Sequence, residues 1–202
     1  MTFFSNDDFT NMKQYILMAM FCTSVIAQAG LPVILPTDPS QVEMTAAHEL
    51  AFYLHKITGD AYPVLNEPSA APSAIFIGQT KAFQKAFPDI ALDKLPADTI
   101  VLKSHGGSLY LAGHPQRGTL YAVYTFLEDF CGVRWWTSTE ETVPHHPTIT
   151  IPEKLDIVYS PPLVCRETFY KDAFSDIFST KLKQSSALYP RNILFKTSSE
   201  PD

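Results

Sequence analysis

Positive charge is scarce and scattered in this chain. Fifteen Lys and Arg stand against 21 Asp and Glu, a formal net charge of −6, and the cations nowhere form a run. A phosphate backbone or an anionic membrane surface is gripped by concentrated positive charge, so partners of both kinds are excluded. Glycine is also sparse, 8 residues against 16 prolines, which points to rigid connections and abrupt strand ends rather than floppy linkers. The 3 cysteines and the scattered histidines match no zinc-site spacing. No glycine-rich phosphate loop and no serine in a nucleophile elbow occurs; Gly113-x4-Gly118 lacks the Lys-Ser/Thr that would follow. What is present is 46% hydrophobic and 18% charged, which is enough to bury a core. At 202 residues the chain is one domain and a remainder, too short for a (β/α)₈ barrel of about 250 residues beside anything else.

The amino terminus carries the three parts of a secretory signal: Lys13, the apolar block of residues 15–26, and the small-x-small site Ala27-Gln28-Ala29. That block is shorter than the roughly 20 apolar residues a membrane helix needs. Polar residues 1–11 are an odd prefix, so translation is expected to start at Met12. Residues 1–29 then form a signal peptide, and the mature chain is expected in the periplasm or outside the cell, with no membrane attachment after cleavage. A lipid anchor on Cys22 is disfavoured by Met20 and Phe21 before it. The remaining Cys131 and Cys165 could pair in an oxidising compartment, but their apolar surroundings favour two buried thiols over a bridge.

Along the mature chain, residues 31–35 read as a buried strand. Ser40 and Glu43 then have capping-box spacing, and Ala47, Leu50, Leu54 and Ile57 follow at helical intervals up to a stop at Gly59. Residues 61–65 and 74–78 are strand candidates, and residues 80–87 a short helix halted before Pro88. Strands 98–103 and 108–112 flank Gly106-Gly107, a hairpin signal because paired glycines accept positive φ. A second long helix carries Leu120, Val123, Tyr124, Leu127, Phe130 and Cys131 on one face and ends at Gly132. Residues 133–137 return as a strand, and 148–151 form a last one. The expected fold class is α+β: a two-layer sandwich of one mixed β-sheet with two main helices on one face. Beyond Pro161-Pro162 the periodicity weakens, and residues 161–202 read as the start of a further domain after an accessory domain of residues 30–160.

Candidate chemistry is thin. Glu128-Asp129 and Glu140-Glu141 are adjacent acids, whereas glycosidic hydrolysis needs two carboxyls facing each other across a sugar; solvated surface positions suit them better. His48 and His55 are seven apart, not the four that would hold zinc, while His105, His145 and His146 fall in a hairpin tip and a loop. No metal or cofactor is implied, and no catalytic residue is assigned. Trp135 and Trp136, with Tyr121 and Tyr124 nearby, could form a sugar platform, but strand alternation sends the two indoles to opposite faces. One is expected in the core and the other in an interdomain contact. Arg134 either pairs a carboxylate or borders the sheet.

The set Thr45-Ala46-Ala47-His48-Glu49-Leu50, Ile75-Phe76-Ile77-Gly78, Leu109-Tyr110-Leu111-Ala112-Gly113, Arg117-Gly118-Thr119-Leu120-Tyr121, Phe126-Leu127-Glu128 and Gly132-Val133-Arg134-Trp135 resembles a known module. It is similar to the amino-terminal domain of secreted glycoside hydrolases, the family 67 alpha-glucuronidases and, more distantly, the beta-N-acetylhexosaminidases. The resemblance covers residues 31–166. It implies a hexosaminidase-type amino-terminal domain placed before a (β/α)₈ barrel that carries the catalytic carboxylates and meets the glycan substrate. It also implies a role for one residue here: Arg166, at the entry to the first barrel strand, matches an arginine that binds the substrate sugar. Glu167-Thr168-Phe169-Tyr170 departs from both families' patterns, and a salt bridge at the domain junction suits the Arg166 fork equally. Three readings follow. The first is a non-catalytic accessory domain of a secreted, alpha-glucuronidase-like hydrolase of polysaccharides, truncated before its barrel. The second is a stand-alone exported carbohydrate-binding or interaction module, and the third a small enzyme with an unrecognised site.

Overall fold

A computed structural model describes residues 30–69, 71–163 and 165–185; the expected signal peptide lies outside them. Six strands form one mixed sheet: β1 (Val33–Leu35), β2 (Val64–Asn66), β3 (Ile75–Ile77), β4 (Ile100–His105), β5 (Ser108–Gly113) and β8 (Asp156–Tyr159), in the order β2-β1-β3-β5-β4-β8. The first four in that order run parallel, and β4 and β8 are antiparallel to their neighbours. The reversal follows from the two-glycine turn. Gly106 and Gly107 take φ of 58° and 77°, the primed geometry whose twist suits a tight hairpin, and His105 pairs with Ser108 across it.

Alternation along the strands sorts the two faces. Val33, Ile75, Ile77, Leu102, Leu109 and Leu111 point into the main core under the long helices α1 (Gln41–Thr58) and α3 (Gly118–Asp129). The expected α+β sandwich with two main helices on one face is what forms. The capping box of α1 is complete: Ser40 Oγ accepts from Glu43 N, and Glu43 Oε2 accepts from Ser40 N at 2.8 Å. The sheet's other face is covered as well. Short helix α2 (Lys81–Ala86), capped by Thr80, packs Phe83 with Leu92 onto Val101, Tyr110 and Ala112.

Three expectations need correction. Residues 148–151 form no strand, because Pro147 and Pro152 bracket them and proline has no N–H to give a ladder. Ile149 and Ile151 still pack on the core, while β8 takes the free edge of β4 with Val158 opposite Val101. The strand expected from residue 98 starts at Ile100, since Asp98 turns the chain at a φ of 61°. Cys165 is exposed rather than buried, lying outside any strand beside the exposed Leu163; Cys131 is buried, and both are free thiols. The weakly periodic stretch after Pro162 holds a 3₁₀ turn (Lys171–Phe174) and helix α4 (Asp176–Lys181), whose Phe178 joins the main core. Among the described residues, no helix is long and apolar enough to cross a membrane.

Candidate functional site

Arg166 lies where the chain after the sandwich meets the sheet. Asp98, its side chain only 3% exposed, accepts from Arg166 Nη2 at 2.8 Å through Oδ2. The same carboxylate takes Arg117 in a two-point grip, Nε to Oδ1 at 2.8 Å and Nη2 to Oδ2 at 3.2 Å. Arg166 also donates from Nε to the Lys183 carbonyl and from Nη1 to the Leu163 carbonyl, and its backbone bridges to Ser185. One buried carboxylate thus holds two guanidinium groups, the geometry in which charge-assisted bonds are strongest.

The backbone around Asp98 explains why Arg117 is followed by glycine. The end of β5 and the start of α3 both press against the Thr99 carbonyl. A Cβ on Gly118 would collide with that oxygen, and a Cβ on Gly113 would meet both it and the Gly118 backbone. His114 N donates to the same oxygen at 2.9 Å. The crossing therefore demands small residues at both positions.

A second site lies at the junction of α1, α4 and the small sheet of β6 (Arg134–Trp135) and β7 (Glu141–Thr142). Tyr53 Oη is its hub. It donates to Glu141 Oε2 at 2.6 Å and accepts from Trp135 Nε1 at 2.9 Å and from Lys181 Nζ at 2.8 Å. Lys56 Nζ reaches Glu141 Oε1 at 2.5 Å. Lys181 is buried, with its ammonium 5.3 Å from the Tyr53 ring centroid and 5.8 Å from that of Trp135, close enough for cation–π attraction. Burial lowers the Lys181 pKa, and the Glu49 and Glu141 charges partly oppose that shift. Burial alone would raise the Glu141 carboxyl; the bonds from Lys56 and Tyr53 and the charges of Lys181 and Lys56 outweigh it and hold Glu141 below the ordinary carboxylate value. Deeper in, Tyr124 Oη donates to Glu49 Oε2 at 3.0 Å, and burial pushes that phenol well above its ordinary pKa.

The other sequence candidates are placed apart. Trp135 is buried, whereas Trp136 is 62% exposed and donates to Thr142 Oγ1, so the expected opposition of the two indoles holds. Among the described residues Arg134 pairs no carboxylate: it donates to the carbonyls of Glu128 and Val133 and closes the end of α3. Glu128 binds Lys183 at 2.5 Å. His48, His55, His105, His145 and His146 are all exposed, and among the described residues no three metal-binding side chains converge. Glu141, read from sequence as a surface acid, is instead the centre of the second site. Only its distance from Lys56 and Lys181 in the chain hid it.

No protein-family model matches the chain, and no curated protein matches its sequence. Among solved structures, 66% of the chain is similar to part of a family GH115 4-O-methyl-alpha-glucuronidase with specificity for decorated arabinogalactans, at a TM-score of 0.50 and 24% identity. The match covers 18% of that enzyme's chain, so this chain corresponds to a minor part of it. The fold is therefore one that occurs within a glycoside hydrolase.

Proposed function

We propose that this α+β unit is the non-catalytic amino-terminal accessory domain of a secreted, alpha-glucuronidase-like glycoside hydrolase, with the catalytic carboxylates supplied by a (β/α)₈ barrel. The observation that carries this reading is the fold likeness to a small part of a glucuronidase. A run of side chains at the sheet edge and beyond it agrees with a neighbouring domain: Val158, Tyr159, Leu163, Phe169, Tyr170 and Phe174 are 45–71% exposed, and apolar exposure of that kind marks contact surfaces. Of the two roles open to Arg166, its bonds to Asp98, Lys183 and Leu163 favour the junction bridge over a sugar contact. In this reading Arg166 fixes the direction in which the chain enters the barrel.

Two measurements test it. The gene downstream of the Asp202 codon is expected to encode a barrel, in frame or after a frameshift; a terminator followed by an unrelated gene counts against the proposal. The purified chain is expected to leave aryl glucuronides and other aryl glycosides intact, and turnover that persists through chromatography refutes it.

A further inference from the structure

The cleft beside Tyr53 has the composition of a receptor for hydroxyl groups, and we propose that it binds a single neutral sugar ring. Its volume is about 240 Å³, below the roughly 300–1,000 Å³ of pockets for drug-sized ligands, which suits one ring rather than a chain. Phe52 and Trp135 provide aromatic wall, residues 137–139 bring three hydroxyl-bearing side chains to the rim, and Lys56, Glu141 and Lys181 line the interior. Few polar groups converging beside aromatic surface is the usual make-up of a small-molecule site.

The chemistry selects the ligand class. Each sugar hydroxyl both donates and accepts, so neighbouring hydroxyls are met best by an acceptor and a donor side by side. Glu141 offers carboxylate oxygens, and two ammonium groups, each with three N–H donors, flank it at 2.5 Å and 3.8 Å. Lys56 keeps 38% of its side chain exposed, which leaves it accessible from the cleft. The charges facing the cleft nearly balance, Lys56 and Lys181 against Glu141 and the exposed Glu140, with buried Glu49 behind Lys181. An anion would have to compete with Glu141 for both lysines, so neutral rings are preferred over uronates or phosphate. The three bonds on Tyr53 Oη hold Trp135, Glu141 and Lys181 in place before any ligand arrives, and such preorganisation reduces the cost of binding.

The proposal does not rest on the accessory-domain reading. Gene context and hydrolysis decide that one; binding decides this one. The test is a titration of the full chain carrying Trp136→Phe, which leaves Trp135 as the reporting indole, since the chain has 2 tryptophans. Indole emission is followed against glucose, galactose, xylose and arabinose, and against glucuronate and inorganic phosphate. At least one neutral sugar is expected to give a saturable change, weakened about tenfold or more by Lys56→Met or Glu141→Gln through loss of a charged hydrogen bond. Lys56 is partly exposed, so Lys56→Met carries the test if Glu141→Gln fails to fold. Absence of saturation with every neutral sugar, tighter binding of glucuronate or phosphate, or undiminished affinity in the folded variants overturns the proposal.

Discussion

Arg166 donates to the Asp98 carboxylate across 2.8 Å and 68 positions of sequence. Arg117 grips the same carboxylate from the N-cap of α3, so Asp98 joins the sheet, the second long helix and the chain that follows the sandwich. Replacing a buried carboxylate leaves its cations without a counter-charge, and breaking such pairs is costly. Asp98→Asn keeps the shape and tolerates the positive φ, so it isolates the charge. It is expected to lower unfolding free energy by about 3 kcal/mol in urea titrations, and to expose residues after 162 to limited proteolysis. Arg166→Ala is expected to cost less and to produce the same proteolytic nick. A variant whose cleavage pattern is unchanged would show that the bridge does not hold the segment.

Gly118 admits no side chain. Its added Cβ would strike the Thr99 carbonyl and the Gly113 backbone, and backbone cannot swing aside as a flexible side chain can. Gly118→Ala is therefore expected to cost about 3 kcal/mol or more despite alanine's better helix propensity. Gly59→Ala, at a helix end with open space around it, is the contrasting case: only the φ of 82° opposes it, at about 1 kcal/mol. Equal losses in the two variants would refute the packing argument.

Glu141 makes the second site acid-sensitive. Its folded pKa lies below the ordinary value, so its stabilising contribution is complete above the unfolded glutamate pKa of about 4.3 and is lost as pH falls through the depressed folded value. The stability difference between wild type and Glu141→Gln is expected to be constant near neutrality and to shrink below about pH 4.3. Thermal melts across that range check it, and a difference that widens on acidification would reverse the sign. Tyr53→Phe removes the acceptor of the Trp135 N–H, at about 1–3 kcal/mol for the unsatisfied group, and leaves Lys181 its ion pair with Glu141; thermal melts of the variant check it.

Cys131 and Cys165 should separate cleanly in reactivity. Burial pushes the Cys131 thiol up to about 12, leaving almost no thiolate at neutral pH, while Cys165 is exposed. Brief alkylation of the native protein followed by peptide mass mapping is expected to modify Cys165 and spare Cys131 until denaturant is added. Rapid labelling of Cys131 in the native state would contradict its placement.

Local chemistry was legible in the chain itself. Ser40, Glu43 and Gly59 bounded α1 because caps act within a few residues, and Gly106-Gly107 specified the hairpin because only positive φ closes it. The apolar stripes of α1 and α3 marked the core face, and with the strand alternation they determined the α+β sandwich. The last strand was misplaced because Asp156–Tyr159 has little buried alternation of its own; it is a strand only because β4 offers an open edge. The packing of Phe178 was hidden in the same way, since α4 is short and its core contact comes from a partner far away in sequence.

The two sites divide along the same line. That Arg117 precedes a glycine, and that Arg166 follows a proline pair, is written in the sequence; that both arginines share Asp98 is not, because a carboxylate's partners are set by the fold that brings them within bonding distance. Glu141, Lys56, Lys181 and Tyr53 span 128 positions between their extremes, and no periodicity or motif links them. Short-range forces, caps, turns and the alternation of apolar residues, let the sequence determine which elements form. Which charged and hydroxyl groups meet was decided only when helices α1 and α4 and the small sheet packed together, since burial and proximity give those groups their strength.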